Sequence, residues 1–328
     1  IIEKTPQQKE ICRMIIKELP EFLKEYGLEK PVLIPETAIQ IFDMSKFGEE
    51  SRIKEKKFPA HWSTQNQIIR FNGDRIMGMS NLEFASILAH ELIHSQSFES
   101  LAIHEDVDEN GEIKRGAVGR RSGFVNYSLE ENKDGKKVVV DNFAQLNEAV
   151  TESMAQHFLY KYLYKIPHVE SDIEHINKKL REKYNTEKAK NPDMPIHIED
   201  NVTGLSCGDD DFKGGVEGGR QIIIDSGSYW DEIKKFKGAV RGIFAKAQVY
   251  QKQYDQAAKP VNKESSLHTL LMSLKNELDV TKFFTRAYFT GQQLDLARLI
   301  KFVTGKSFRE FGKMTTLYDK RSTEEFKS

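Results

Sequence analysis

The stretch from Phe84 to His94, FASILAHELIH, constrains this chain more than any other. It reads as a helix: Ser80 followed by Glu83 has the form of a capping box, and Phe84, Ile87, Leu88 and Leu92 supply an apolar stripe. Four residues advance a helix by about 400°, so His90 and His94 project from one face, one above the other. Two imidazoles stacked in this way can reach one divalent cation at about 2 Å, and zinc is the usual choice for nitrogen ligands. Glu91 lies roughly 100° around from His90. That is a poor angle for a third ligand, but it lets the carboxylate lean over the metal face as a general base toward water. Burying two histidines among apolar neighbours is costly unless each nitrogen finds a partner, and a metal is one such partner.

A catalytic zinc needs a third protein ligand and one open position. The candidates are Glu99, His104, Glu148, Glu152 and His157. Glu99, five residues beyond His94, would point about 140° away on a continued helix. His104 falls in a predicted loop and stays open as a candidate. Glu148 and Glu152, within QLNEAVTE, share one face of a second predicted helix by the same i, i+4 geometry as the histidines. One carboxylate could bind the metal while the other accepts the free ring N–H of a liganding histidine. His157 lies about 180° from Glu148 and reads as a surface or core histidine.

His90-Glu91-x-x-His94 followed by Asn147-Glu148-x-x-Thr151-Glu152 resembles the paired motifs of the gluzincins, the thermolysin-like zinc metallopeptidases. The resemblance covers these two short motifs and the order of elements around them. It implies a zinc metalloendopeptidase with His90, His94 and Glu148 as zinc ligands and Glu91 as general base. It also implies Glu152 as the carboxylate behind a ligand, on His90. The implied fold is α+β and zincin-like: a small mixed sheet, an active-site helix and an α-helical C-terminal part. Two features depart from the family pattern. Between His94 and Glu148 lie 53 residues, a long gap filled by a β-rich insert, and Glu152 stands where Asp is more usual. A metzincin would need Gly at position 97 and His at position 100, where this chain has Ser97 and Ser100.

The chemistry that would follow is hydrolysis of peptide bonds, with a peptide or protein as substrate. The alternative is a zinc-binding regulatory or interaction protein on a retired protease fold. Intact Glu91 argues against that alternative, because a silent site does not need the carboxylate. A third reading, a helical interaction module with an accidental motif, would not hold near-stoichiometric zinc. An oxyanion donor is also required, and family members use His or Tyr. Tyr127, on the strand before the second motif helix, is the first choice here, with Tyr229 and His197 as alternatives. The predicted strand Asn66–Phe71 precedes the histidine helix, the place where zincins carry an edge strand, so extended peptide is expected to pair there.

Composition describes a soluble protein with a well-solvated surface and argues against some other classes. The 49 basic and 50 acidic residues nearly cancel, so no overall field favours nucleic acid or an anionic membrane. No apolar run approaches the ~20 residues of a membrane span. The two cysteines, Cys12 and Cys207, are too few for a disulfide framework. The chain opens at Ile1, as a processed or trimmed product does, so a cytoplasmic location and secretion after processing both stay open. Oligomeric state is not legible.

Two parts are expected: 1–142, with an α/β pattern, the histidine helix and the β-rich insert, and 143–328, mainly helical with the third-ligand helix. Pro6–Tyr26 reads as an amphipathic helix that Pro20 kinks or splits. Strands are expected at Thr37–Phe42, Asn66–Phe71 (closed by an Asn72-Gly73 turn), Gly119–Leu129 and Lys137–Val140. The second motif helix is expected over Phe143–Tyr164, starting from Asn142 with Gln145 as capping partner. Lys178, Lys179, Arg181 and Lys183 form a solvated basic face, and 191–219 reads as irregular. Helices are expected at Trp230–Tyr254, Ser266–Asn276, Asp279–Tyr288 and Leu294–Val303. Asp106-x-Asp108-x-Asn110-Gly111 copies half a calcium loop, but Ala117 stands where a bidentate Glu belongs, so a hairpin turn is the better reading. Asp209-Asp210-Asp211 reads as a solvated loop. Gly305-Lys306-Ser307 lacks the first glycine of a phosphate loop and follows a helix.

Overall fold

A computed structural model of the chain describes residues 1–46, 59–107, 113–131, 137–193, 197–199, 205–208, 223–224, 230–256 and 266–311. The fold divides into two compact units, each assembled from separate stretches. One comprises Ile1–Lys24, Lys30–Ser95 and Thr151–Trp230; the other comprises Glu25–Glu29, Gln96–Val150 and Asp231–Ser328. Helices dominate, joined by a small mixed sheet and two antiparallel ones, an α+β composition.

In the first unit, α1 (Pro6–Glu25) opens on a reciprocal cap. The Thr5 N–H donates to Gln8 Oε1 and the Gln8 N–H to Thr5 Oγ1. Its buried face is Ile11, Cys12, Ile15, Leu19, Phe22 and Leu23, spaced at the helical period. Pro20 lies inside this helix without splitting it, contrary to one half of the sequence expectation. Strands β1 (Ile39–Phe42), β2 (Ala60–Ser63) and β3 (Ile68–Asn72) form the mixed sheet in the order β1-β3-β2. β3 pairs in parallel with β1 and antiparallel with β2. It is therefore an interior strand, which overturns its expected role as a peptide-binding edge. Asn72-Gly73 closes this strand as expected, by opening a helix. The Asn72 side chain accepts from the Asp74 N–H and starts the short helix α2 (Gly73–Ile76).

Helix α3 (Asn81–His94) carries the histidine motif. Its capping box is complete: Ser80 Oγ accepts from the Glu83 N–H at 3.2 Å, and Glu83 Oε2 accepts from the Ser80 N–H at 2.8 Å. Phe84 packs on Phe71 of β3 with ring centroids 4.9 Å apart, and β2 lies alongside α3. A later helix, α5 (Glu170–Lys190), secures the start of α3. There the Asp172 carboxylate accepts from the Leu82 N–H at 3.0 Å. Lys178, Lys179, Arg181 and Lys183 are exposed on α5, the solvated face expected. The stretch read as irregular contains two strands, β8 (His197–Glu199) and β9 (Leu205–Gly208), which with β10 (Ile223–Ile224) beyond it form a small antiparallel sheet. Asp209, Asp210 and Asp211 lie outside the described residues.

In the second unit, β4 (Glu99–Val107), β5 (Ile113–Ser122), β6 (Val125–Glu131) and β7 (Lys137–Asn142) form an antiparallel meander. The single strand expected over Gly119–Leu129 is thus two strands joined at Gly123-Phe124. Gly123 has φ +55, and the first position of a two-residue hairpin loop favours such a value. The half-calcium-loop residues Asp108, Asn110 and Gly111 lie outside the described residues. Helices α6 (Trp230–Gln256), α7 (Ser266–Ser273), α8 (Glu277–Thr290) and α9 (Leu294–Thr304) follow, close to the expected bounds. Phe236 of α6 meets Phe284 of α8 edge-on at 5.1 Å. Gly305 ends α9 with φ +72, and Ser307 caps the next turn through Glu310, so Gly305-Lys306-Ser307 is helix punctuation.

The second motif helix is α4 (Ala144–Tyr162), and it contributes residues to both units. The helix starts after Phe143, whose carbonyl accepts from the Asn147 N–H, and not from Asn142, which ends β7 paired with Asn126. Phe143, with φ +66, turns the chain from strand into helix, and its ring stacks on Phe308 at 5.1 Å. Further along, Phe158 and Tyr162 pack with Phe22 of α1 in an aromatic cluster, and exposed His157 sits edge-on to Phe22. Among the described residues no helix is long and apolar enough to cross a membrane.

Candidate metal centre

His90 and His94 lie in the last turn and a half of α3, whose single apolar face fixes the rotation of the helix. The i, i+4 spacing then brings the two rings to 4.6 Å between centroids, with Nε2 of one 2.9 Å from Nε2 of the other. His90 Nδ1 lies 2.6 Å from Glu152 Oε2. A carboxylate accepts and does not donate, so Nδ1 carries the proton and Nε2 of His90 presents its lone pair. His94 Nδ1 has a longer contact, 3.4 Å, with Thr151 Oγ1. A hydroxyl can donate or accept, so Thr151 suits either tautomer of His94. Both rings thus turn Nε2 toward one point.

Glu148 is one helical turn before Glu152 on α4. Donor atoms of His90, His94 and Glu148 all lie within 4.8 Å of one another, so these three side chains can hold a metal ion. The donor set fits zinc. Two nitrogens on one tetrahedral zinc, each at about 2.05 Å, are roughly 3.3 Å apart, which needs a few tenths of an ångström of opening from the observed separation. The pairing of a buried carboxylate with the outer ring nitrogen of a ligand is the support such sites require. Two imidazoles and a carboxylate also suit other first-row dications, so the geometry defines a site without identifying its metal.

Glu91 is 8 % exposed. Among the described residues no group donates a hydrogen bond to its carboxylate or pairs with it. Its carboxylate oxygens are not among the fully enclosed polar atoms that lack a partner, so the group keeps an opening to solvent, as a base that must meet water requires. Its backbone carbonyl is satisfied by the Ser95 N–H, so what is left open is the side chain.

The other candidates fall elsewhere. Glu99 is the first residue of β4, because α3 ends at His94 and not beyond. His104 is not in a loop: it lies in β4, opposite Gly116. Tyr127 lies in β6 opposite Asp141, and His197 in β8 opposite Gly208. Their side chains, and Tyr229 altogether, lie outside the described residues. Two residues of the second motif carry contacts that the sequence reading did not assign. One is Thr151, beside His94. The other is Asn147, whose Oδ1 accepts from the Phe124 N–H at 2.9 Å. The signal for the latter was available, since a glycine within a strand-like run, here Gly123, marks a bend or a close backbone approach.

Comparison with protein-family models, with curated proteins and with solved structures finds no match for the chain. The chemistry of the centre rests on its own residues.

Proposed function

We propose that the chain is a zinc-dependent metallopeptidase of the gluzincin type, hydrolysing peptide bonds with Glu91 as general base. The observation that carries this reading is the convergence of His90, His94 and Glu148, next to a largely buried Glu91 whose carboxylate has no partner among the described residues. When bound, zinc supplies Lewis acidity, which makes water nucleophilic near neutral pH and polarises a peptide carbonyl. His90 and His94 orient that charge, and Glu152 fixes the tautomer of His90. Glu91 accepts the proton of the attacking water and delivers it to the departing amine, so one carboxylate serves both steps. Tyr127 is the phenol we assign to the developing oxyanion. For the substrate backbone we place strand addition on β2, the neighbour of α3, instead of on β3.

A zinc-binding protein without turnover is the other reading, and the state of Glu91 disfavours it. The decisive experiment is cleavage of a broad peptide library by zinc-loaded wild-type protein and by Glu91→Gln. Zinc-dependent cleavage by the first, lost in the second with zinc still bound, supports the peptidase. Stoichiometric zinc with no cleavage by either would sink it.

A further inference from the structure

The tip of the β5–β6 hairpin offers two successive backbone amides, and each holds a segment adjoining a ligand helix. The Gly123 N–H donates to the Phe98 carbonyl at 2.7 Å, and the Phe124 N–H donates to Asn147 Oδ1 at 2.9 Å. Phe98 is four residues beyond His94; Asn147 is the residue before Glu148. The fit is close on all sides. A methyl group built on Gly123 would lie 2.3 Å from Asn147 Oδ1 and 2.7 Å from the ring of Tyr288. That spacing and the positive φ together require glycine.

The tip is backed by the end of α8. The Phe98 N–H donates to the Tyr288 carbonyl at 2.9 Å, and the Phe98 ring lies under the Arg121 guanidinium at 5.1 Å. Arg121 donates to the carbonyls of Gly123 at 2.8 Å and Gly291 at 3.0 Å, tying the hairpin to the C-terminal turn of α8. A half-buried guanidinium spent on backbone carbonyls has a structural assignment, and burial lowers its pKa. All of these contacts lie within one compact unit. Asn147 is 3 % exposed and Phe124 is 1 % exposed, so the Asn147–Phe124 bond is shielded from water.

We propose that this tip is a positioning brace for the metal centre: Asn147, held by the Phe124 amide, sets the backbone from which Glu148 reaches the metal. The proposal rests on the metal-centre reading. Asn147 is not one of the three metal-holding residues; it acts through Glu148. Outer contacts of this kind are worth about 10–100-fold in metal affinity.

The test uses the full chain and Co²⁺ and Zn²⁺ as probes, reading metal affinity by chelator competition and the visible d–d bands of the Co²⁺ form. Asn147→Ala is expected to lose about 10–100-fold in affinity and to alter the Co²⁺ bands. Asn147→Asp, which retains the acceptor, is expected to restore both. Gly123→Ala is expected to resemble Asn147→Ala. A folded Asn147→Ala protein with wild-type affinity and bands overturns the brace, as does a folded Asn147→Asp protein that recovers neither. If Asn147→Ala does not fold, Gly123→Ala decides, and an unchanged metal site there overturns the brace equally. Wild-type protein that binds neither ion refutes the metal centre itself, a result distinct from all of these.

Discussion

Nδ1 of His90 and Oε2 of Glu152, 62 positions apart in the chain, lie 2.6 Å from each other. This contact fixes which nitrogen of His90 is available, so its removal should be read in the metal and not in the fold. Glu152→Ala is expected to weaken zinc binding by about 10–100-fold, and Glu152→Gln, which can still accept the Nδ1 proton, by less. Competition against a chromophoric chelator measures both. Equal affinities across wild type and both variants would remove Glu152 from the site.

Glu91→Gln should separate binding from turnover. The amide keeps the size of the side chain but cannot take a proton, so zinc stays and peptide cleavage falls by at least about 10²–10⁴-fold. Steady-state rates beside metal content by atomic absorption check this. A variant that loses its zinc would show that Glu91 is a ligand and not a base.

Zinc binding should stabilise the fold, because the ligands come from two helices and bind the ion together only in the folded chain. Addition of excess chelator is expected to lower the thermal transition of wild-type protein. His94→Ala protein should melt at one temperature with or without chelator. Calorimetry with and without added Zn²⁺ gives the comparison.

Cys12 carries a pH dependence of its own. It is fully buried in α1, and burial pushes its thiol pKa from 9.0 up to about 12. Between those values the unfolded chain gives up the proton while the folded chain keeps it. Stability is therefore whole below about pH 9 and falls as pH rises toward about 12. Cys12→Ala should flatten that part of the decline in urea titrations at pH 8 to 11. Iodoacetamide should label Cys12 at pH 8 in urea but not in the native protein.

Much of the site was legible because its signals are local. The i, i+4 spacing of His90 and His94, the Ser80–Glu83 cap and the Glu148–Glu152 pair each depend on a few neighbouring residues and one helical period. Strand order is not local, and there the sequence misled: β3 has the composition of an edge or an interior strand, and pairing with β1 and β2 decides between them. Gly123 carried a local signal, a glycine inside a strand-like run, but that signal does not say which segments its loop meets. At Asn142 the expected helix start gave way to strand pairing with Asn126, and the helix begins two residues later. The contacts of Asn147 and Thr151 depend on where distant segments arrive, which no spacing along the chain encodes.

Helix α3 also has a polarity. Its amide dipoles sum to roughly half a positive charge at the Asn81 end and half a negative charge at the His94 end. The first end faces the carboxylates of Glu83 and Asp172, and the second coincides with the imidazole pair. The helix therefore discriminates by sign: its field draws a dication toward the donors and would disfavour an anion in the same place. Moving the His90–His94 pair to the opening turn of a helix would reverse that field, so a designer borrowing the pair should graft it where a helix stops.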